Sequence, residues 1–463
     1  MIVHTYWTFL LLLSLFVFVY YNVSTSVFWN ASIKEEISPT GITVTKIVAY
    51  SLKKTLELDG EIYNCNKTNF DNIEDRSIQF DDQGWKRIEN SDVYVLSVNL
   101  DNRLKPYTYI RIISVIKGSW NQTVYCQIIT TDGQVQVIKS TVTPIWFDEW
   151  DMDDNNIYYN PTLISCRLPI FKKISKVFLS TKPCQMPMQY HKLNEPDSTQ
   201  RNFTVCIKPL LFKDDIFKYL IQWFEINKIL GADHFYIFYE KAHMYTEKLL
   251  KWYASSEPDM FDLKTLPLLD NAEETFNKFT WQRRRYEIVA YNECFYKNLN
   301  SKYVVPLDVD EVIVPKTADT WFELVRHLDV FSSLMVRNVY FFVKNGSKSD
   351  KSIFFRYLYR TEKVSAIGEN SKSFISTKNA LTIFNHYSLH SLKPGRKEYF
   401  LPFKDVQLNH YKESCDTVIF PECLNYLSSQ RICDRSIFKY RSKVEQNYLS
   451  ILNKIMYNFN KTV

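Results

Sequence analysis

Glycine is scarce in this chain, nine in 463 residues. None of the nine builds the Gly-rich loop with which a Walker or Rossmann backbone cradles phosphate, so those nucleotide-binding classes are excluded. No two of the nine cysteines stand as Cys-x-x-Cys, which removes the common zinc-site spacing. Positive charge is not concentrated either. The net charge is +6, from 57 basic and 51 acidic residues with no long basic run, so nucleic acid is not indicated as a partner. No lysine or arginine precedes Lys34, which leaves the first segment without the flanking charge that would set its orientation in a membrane.

What is present points to a large globular protein of two or three domains, 46% hydrophobic and 16% aromatic. Residues 2–23 are almost continuously apolar, long enough for a bilayer span. We expect residues 1–24 to be an uncleaved signal-anchor with a luminal C-terminus. A cleaved signal peptide is the rival, since Ser24 and Ser26 offer small residues for cleavage. Either way the chain enters the secretory pathway. Asn-x-Ser/Thr acceptors begin at Asn22, Asn30, Asn66, Asn121, Asn202, Asn345 and Asn460. Disulfides are then expected among Cys65, Cys126, Cys166, Cys184, Cys206, Cys294, Cys415, Cys423 and Cys433. The odd count leaves one thiol over, and Cys294, on an apolar helix face, is expected to be that buried free thiol.

In chain order, residues 25–45 read as a stem and 46–198 as a β-rich membrane-proximal region, with Asp132-Gly133 as a hairpin turn. The acidic run 148–154 reads as a solvated loop. From 199 to 420 the pattern becomes α/β. Thr204 to Leu211 is strand-like. A helix capped by Asp214 or Asp215 ends at Gly231, and a strand follows from His234 to Tyr239, a βαβ arrangement. His234 itself is read as a satisfied core or surface histidine rather than a ligand. A second helix from Trp281 to Leu299 presents Ile288, Tyr291, Phe295 and Leu299 on one face and opens with Arg283, Arg284 and Arg285, expected to be solvated. Beyond the acidic centre come a helix near Thr320 to Leu328, a strand from Leu334 to Val343 and a strand pair near Phe354 to Tyr359. Residues 421–463 form a cysteine-containing tail.

The centre of the chain is Lys302 to Pro315, KYVVPLDVDEVIVP. Apolar runs flank Asp308-Val309-Asp310-Glu311, which puts the carboxylates at the end of a buried strand. Alternation along that strand would project Asp308 and Asp310 to one side. Two such carboxylates form a hard oxygen site suited to Mg²⁺ or Mn²⁺ carrying a diphosphate. Burying three carboxylates without a cation would be costly. Pro306 cannot donate to a ladder and argues for a bulge or a strand edge just before the site.

Four segments stand in order: LFKDDIFKYLIQWFEINKILGADHFYIFYE, WQRRRYEIVAYNECFYKN, SKYVVPLDVDEVIVP and LNHYK. Together they resemble the glycosyltransferase family 92 domain over roughly residues 201–415, and SVNLDNR upstream resembles that family's membrane-proximal region. The resemblance implies a GT-A-type, Rossmann-like α/β fold, a divalent metal (usually Mn²⁺), a UDP-sugar donor and inverting transfer of a hexose, galactose in characterised relatives, to a glycan acceptor in the Golgi lumen. By matching position it implies Asp308 and Asp310 as the Asp-x-Asp pair and His410 as the late metal ligand, with His386 as competitor. Glu362 and Glu369 are candidates for the base that deprotonates the acceptor. The sequence departs from the family's pattern at Pro306, where an apolar residue is expected, and in its scarcity of glycine around the acceptor loops. Two other readings remain: a glycan-binding member without activity, and a haloacid-dehalogenase-type phosphatase. The second lacks its late Gly-Asp motif, since no Gly-Asp dipeptide occurs.

Overall fold

The computed structural model describes residues 84–461 apart from 120, 122, 148–155, 169–172, 186–188, 213, 270–279, 343–352 and 413–422, and ahead of them Cys65 and the stretches 35–37, 43–45 and 62–63. The expected anchor at 2–23 and the acidic run at 148–154 lie outside the described residues. Among the described residues no helix is long and apolar enough to cross a membrane. The chain divides into Met1–Leu56 and Glu57–Val463. In the first unit, strands Glu35–Ile37 and Thr43–Thr45 pair antiparallel.

The second unit begins with a β-sandwich. One sheet is built on Val93–Asp101, Thr108–Lys117 and Tyr159–Leu168, the other on Tyr125–Thr130, Val135–Lys139 and Ile174–Ser180. Ile110, Ile112, Ile128, Ile138 and Val177 fill the space between them, and the Cys126–Cys166 disulfide joins the two sheets. The Asp132-Gly133 hairpin forms as expected, with Gly133 at φ 75°.

The α/β part follows. Strands Arg201–Phe212, His234–Ala242, Phe261–Lys264 and Ser301–Pro306 run parallel, and Lys372–Ser376 adds antiparallel beyond Ser301–Pro306. Helix Phe217–Leu230 connects the first two, ending where Gly231 takes φ 117°. Alternation sorts the strands' side chains to two cores. Phe203, Val205, Tyr303 and Val305 face helix Phe217–Leu230, while Cys206 and Val304 face helix Thr280–Lys297.

Helix Thr280–Lys297 differs from expectation. Instead of one apolar face it is buried almost all round, because the parallel sheet packs on one side and Ile113, Val115 and Leu163 of the sandwich on the other. Cys294 is accordingly no free thiol. It is bonded to Cys206 on the neighbouring strand, Cys65 is bonded to Cys184, and Cys423 is disulfide-bonded too. Among the described residues the free cysteine is Cys433, and it is exposed. Arg285 is likewise buried rather than solvated. Its guanidinium lies over the Trp146 and Tyr158 rings, 4.3 and 4.1 Å from their centroids, and its Nε donates to Asn160 Oδ1 at 2.8 Å. Planar charge on aromatic faces lets an arginine sit in such a seam.

A second ionic joint crosses the same seam. Asp101, fully buried, accepts from Arg103 Nε at 2.8 Å and Arg111 Nε at 3.1 Å. Burial alone would raise the Asp101 carboxyl, but Arg103, and then Arg111, hold it well below the usual carboxylate range. Arg103 also donates to the carbonyls of Thr377 and Ala380 in the α/β part. Removing one partner of a buried pair strands the other charge. Arg103→Ala is therefore expected to lower unfolding stability by about 3–5 kcal/mol, measured by urea titration with the disulfides intact. A loss below about 0.5 kcal/mol, the scale of a surface substitution, would show that the seam carries no such load.

Three later elements also differ. The expected strand from Leu334 to Val343 is two strands, Ser333–Val336 and Asn338–Phe342, which enter different sheets. The pair near Phe354 to Tyr359 is a short 3-10 turn, Phe354–Arg356, followed by strand Tyr359–Thr361. The helix expected from Thr320 to Leu328 is shorter, Trp321–Val325, opened by a Thr320–Glu323 capping box.

Candidate active site

The acidic cluster sits in a turn, not along a strand. Strand Ser301–Pro306 ends at its proline, the last residue paired with Cys206, which agrees with proline's inability to extend a ladder. The chain then crosses to a second, five-stranded sheet. Its order is Glu311–Pro315, Val406–Lys412, Asn338–Phe342, Tyr359–Thr361, Arg431–Cys433. Asp308 and Asp310 occupy the crossing between the two sheets, at the C-terminal end of the parallel strands, where α/β sheets place their ligands. Glu311 braces the turn, accepting from the Asp308 amide at 3.0 Å, while its own amide donates to the Asp308 carbonyl at 3.0 Å.

The pairing of Glu311–Pro315 with Val406–Lys412 sets Glu311 opposite His410. His410 and Lys412, two apart on one strand, share a face, and both reach Asp310: His410 Nε2 lies 3.2 Å and Lys412 Nζ 2.9 Å from its Oδ2. Asp308 is held by Lys208 Nζ at 3.1 Å and Lys372 Nζ at 3.5 Å, and the Tyr291 hydroxyl lies 3.4 Å from its Oδ1. Lys372 also contacts Glu311 at 3.4 Å, and Lys208 lies 3.6 Å from Glu287, which pairs with Arg284 at 3.1 Å. Arg284 is thus a member of this charged network and not a solvated helix start.

Depth differs across the cluster. Lys372 and Glu311 form a floor, each side chain 3% exposed, whereas Asp310 and Lys412 are about one third open to solvent, at 30% and 35%. Burial would raise both aspartates. Lys208 and Lys372 hold Asp308 well below the usual carboxylate range, and His410 with Lys412 does the same for Asp310. Glu311 is pushed up, by burial first, with Lys372 opposing. Burial works against the charge on Lys208 and Lys412, yet the aspartates beside them raise both above the ordinary lysine value.

Sequence reasoning named Asp308, Asp310 and His410, and the fold brings His410 onto Asp310. It missed Lys208, Lys372, Lys412, Arg284 and Tyr291. Of these only Lys412 carried a readable signal, its two-residue spacing from His410. Glu362 is exposed at the end of strand Tyr359–Thr361, and no described contact joins it to the cluster. Glu369 is linked in series: its Oε1 accepts from the Tyr426 hydroxyl at 3.1 Å, Tyr426 packs on Tyr340, and Tyr340 stacks on His410 with centroids 5.0 Å apart. His386 lies in a turn, its Nδ1–H donating to the Ser371 carbonyl at 2.7 Å. His234 is buried.

Among the described residues no three His, Cys, Asp or Glu side chains are grouped as a ready cation site. One local feature bears on whether the donors fit a cation. Asn338, fully buried, places its Nδ2 3.3 Å from His410 Nδ1, and its Oδ1 has no hydrogen-bond partner. Turning the amide over, an exchange of O and N of the same shape, gives Oδ1 the His410 Nδ1–H. With the amide turned, Nε2 becomes an acceptor beside Asp310 Oδ2, 3.2 Å away, where Lys412 Nζ, 2.9 Å from the same oxygen, supplies the positive charge. Imidazole oriented by an outer hydrogen bond, next to carboxylate oxygen, is a donor set that suits Mn²⁺ or Mg²⁺.

A family model described as glycosyltransferase family 92 matches residues 201–448. The match extends past the 415 boundary of the sequence resemblance and takes in strand Arg431–Cys433 and the start of helix Arg441–Lys461, which packs on helix Phe217–Leu230 through Asn447 and Glu225. No curated protein matches the chain. Among solved structures, a ferredoxin-NADP+ reductase from Plasmodium falciparum with 2'P-AMP is similar at 11% identity. The similarity covers 47% of this chain and 85% of that chain with a TM-score of 0.11, too slight to carry an argument.

Proposed function

Because the chain belongs to glycosyltransferase family 92, we propose that it transfers a hexose, galactose first among the candidates, from a UDP-sugar to a glycan acceptor with inversion, on a GT-A-type fold. The observation that supports this reading is the Asp308–Asp310 crossing with His410 and Lys412 on one face beside it. Asp310 and His410, with Asp308 next to them, are the residues that would hold Mn²⁺ or Mg²⁺. The cation would supply Lewis acidity to the departing diphosphate.

The protein's own groups do the rest. Lys412 and Lys208, both partly open to solvent, offer ammonium charge to diphosphate oxygens. Lys372 and Glu311 stay as the buried brace that fixes the turn. Tyr291 and Arg284 hold Asp308 and Glu287 in place from helix Thr280–Lys297. Inversion requires a carboxylate to take the acceptor proton. Glu369, whose Oε1 accepts from the Tyr426 hydroxyl, is tied to His410 through the Tyr426 and Tyr340 rings, and we favour it over the exposed Glu362. The disulfides fit an oxidising compartment, consistent with a single-pass type II Golgi protein held in the bilayer by residues 2–23.

A donor panel tests the reading. With the full chain and Mn²⁺, hydrolysis of UDP-galactose is expected to exceed that of other UDP-sugars, to vanish in EDTA and to return with added Mn²⁺. Undiminished turnover in EDTA would remove the cation from the scheme. Glycan binding without hydrolysis of any donor would make the chain a binding member of its family.

A further inference from the structure

At the other end of the parallel strands lies a cavity that the transfer chemistry does not use. It is about 510 Å³ and is lined by Gln200, Asn202, Asn300, Lys302, Tyr303 and Lys378 among others. Arg201 and Ser301 begin their strands here, paired with one another. At about 3.3 Å per strand residue, Ser301 stands roughly 20 Å from Asp308. We infer that Asn202 carries an N-linked glycan and that this cavity seats its first N-acetylglucosamine units against the protein.

Asn202-Phe203-Thr204 is an acceptor sequence, and Asn202 is exposed on the cavity wall. Its position is fixed from the backbone. The amides of Asn202 and Phe203 both donate to Asp233 Oδ2, at 2.7 and 3.0 Å, which pins the backbone at the cavity rim. Thr204, by contrast, is fully buried, with Oγ1 2.7 Å from Ser301 Oγ. The hydroxyl an acceptor needs is therefore reachable only before the strand is laid down, which places the modification ahead of folding. The sheet then closes behind the sugar.

The lining suits a neutral, hydroxyl- and acetamide-bearing ligand. Amide and hydroxyl side chains predominate, from Gln200, Asn202, Asn300, Ser301, Ser376 and Thr377. The charge in the lining is mixed, with Lys302 and Lys378 beside Asp329. Arg201 is already paired with Asp197. Asn121, the other acceptor whose side-chain exposure is described, is exposed as well but does not line this cavity, and so serves as the internal control.

The test uses the full chain from a host that glycosylates secreted proteins. Glycopeptide mass spectrometry is expected to find Asn202 occupied. Enzymatic release under native conditions is expected to be about 10-fold slower at Asn202 than at Asn121, as for a group reached only through local opening. Release at Asn202 should lower Tm, whereas Asn121→Gln should leave it unchanged. Because the sugar is removed from folded protein, the result does not depend on a variant folding. An unoccupied Asn202 overturns the inference, as does native release at the Asn121 rate with Tm unchanged. If inorganic phosphate raises the Tm of the released protein while the glycan comes off at the control rate, the cavity belongs to an anion and the inference fails.

Discussion

Asp310→Asn is expected to abolish cation-dependent UDP binding and to cut turnover by about 10²- to 10³-fold, the scale seen when one pre-organised electrostatic group is lost, with circular dichroism and Tm close to wild type. The substitution keeps shape and removes charge. His410 Nε2 and Lys412 Nζ both converge on Asp310 Oδ2, so an amide there cannot serve a cation or balance the lysine. The fold should tolerate the change because Asp310 and Lys412 are among the more open members of the cluster, and exposed pairs contribute little to stability. Asp308→Asn separates the two effects. Asp308 neutralises Lys372, which is 3% exposed, so its loss should depress Tm along with activity. Metal-dependent UDP binding at full affinity in Asp310→Asn would sink the assignment.

The elements that flank this site were readable from local pattern. Helix Phe217–Leu230 announced its end with Gly231, whose φ of 117° is strained for any side chain. The parallel strand at His234 followed from the strand–helix–strand order. What the sequence concealed was non-local. KYVVPLDVDEVIVP has strand composition on both sides of its acidic residues, yet Ser301–Pro306 pairs with Arg201–Phe212 and Glu311–Pro315 with Val406–Lys412, partners roughly a hundred residues away on either side. Apolar composition reports burial but not which sheet receives it, so two strands read as one. The same blindness ran Ser333–Val336 and Asn338–Phe342 together as one stretch, although they enter different sheets.

The site's positive members were concealed for a related reason. Lys208 and Lys372 come from strands far apart in sequence and meet only across Asp308. Nothing local distinguishes them from surface lysines, which outnumber buried ones. Arg285 was misjudged through its own helix alone, because the aromatic seam of Trp146 and Tyr158 that receives it belongs to the sandwich. Cysteine pairing is beyond local reading in principle. Even so, the apolar surroundings of Cys294 were read correctly as buried, and the error lay in leaving it unpaired.

His410→Ala and His386→Ala are expected to fail in different ways. His410 faces Asp310 directly, stacks on Tyr340 and is oriented by Asn338. Its loss should weaken cation-dependent UDP binding and turnover by about 10- to 100-fold, the scale for an altered metal-site ligand or its support, with a modest change in Tm. His386 donates from Nδ1 to the Ser371 carbonyl in a packed turn, so His386→Ala should cost about 1–3 kcal/mol by stranding that acceptor, with turnover largely retained in the protein that stays folded. The pH dependence of stability provides a second discriminant. Burial first, and then Lys372, push the His386 imidazole down to about 4 from an ordinary 6.5. The unfolded chain therefore binds the extra proton first, and stability is full above pH 6.5 and falls as pH drops toward 4. His191, His234 and His390 are depressed to about 4 as well. Among the described residues these four histidines share that acid limb, so His386→Ala should flatten a plot of Tm against pH between 6.5 and 4 in part without abolishing it. If His386→Ala leaves the acid limb and Tm unchanged but removes cation-dependent binding, while His410→Ala binds UDP normally, the late-ligand role belongs to His386.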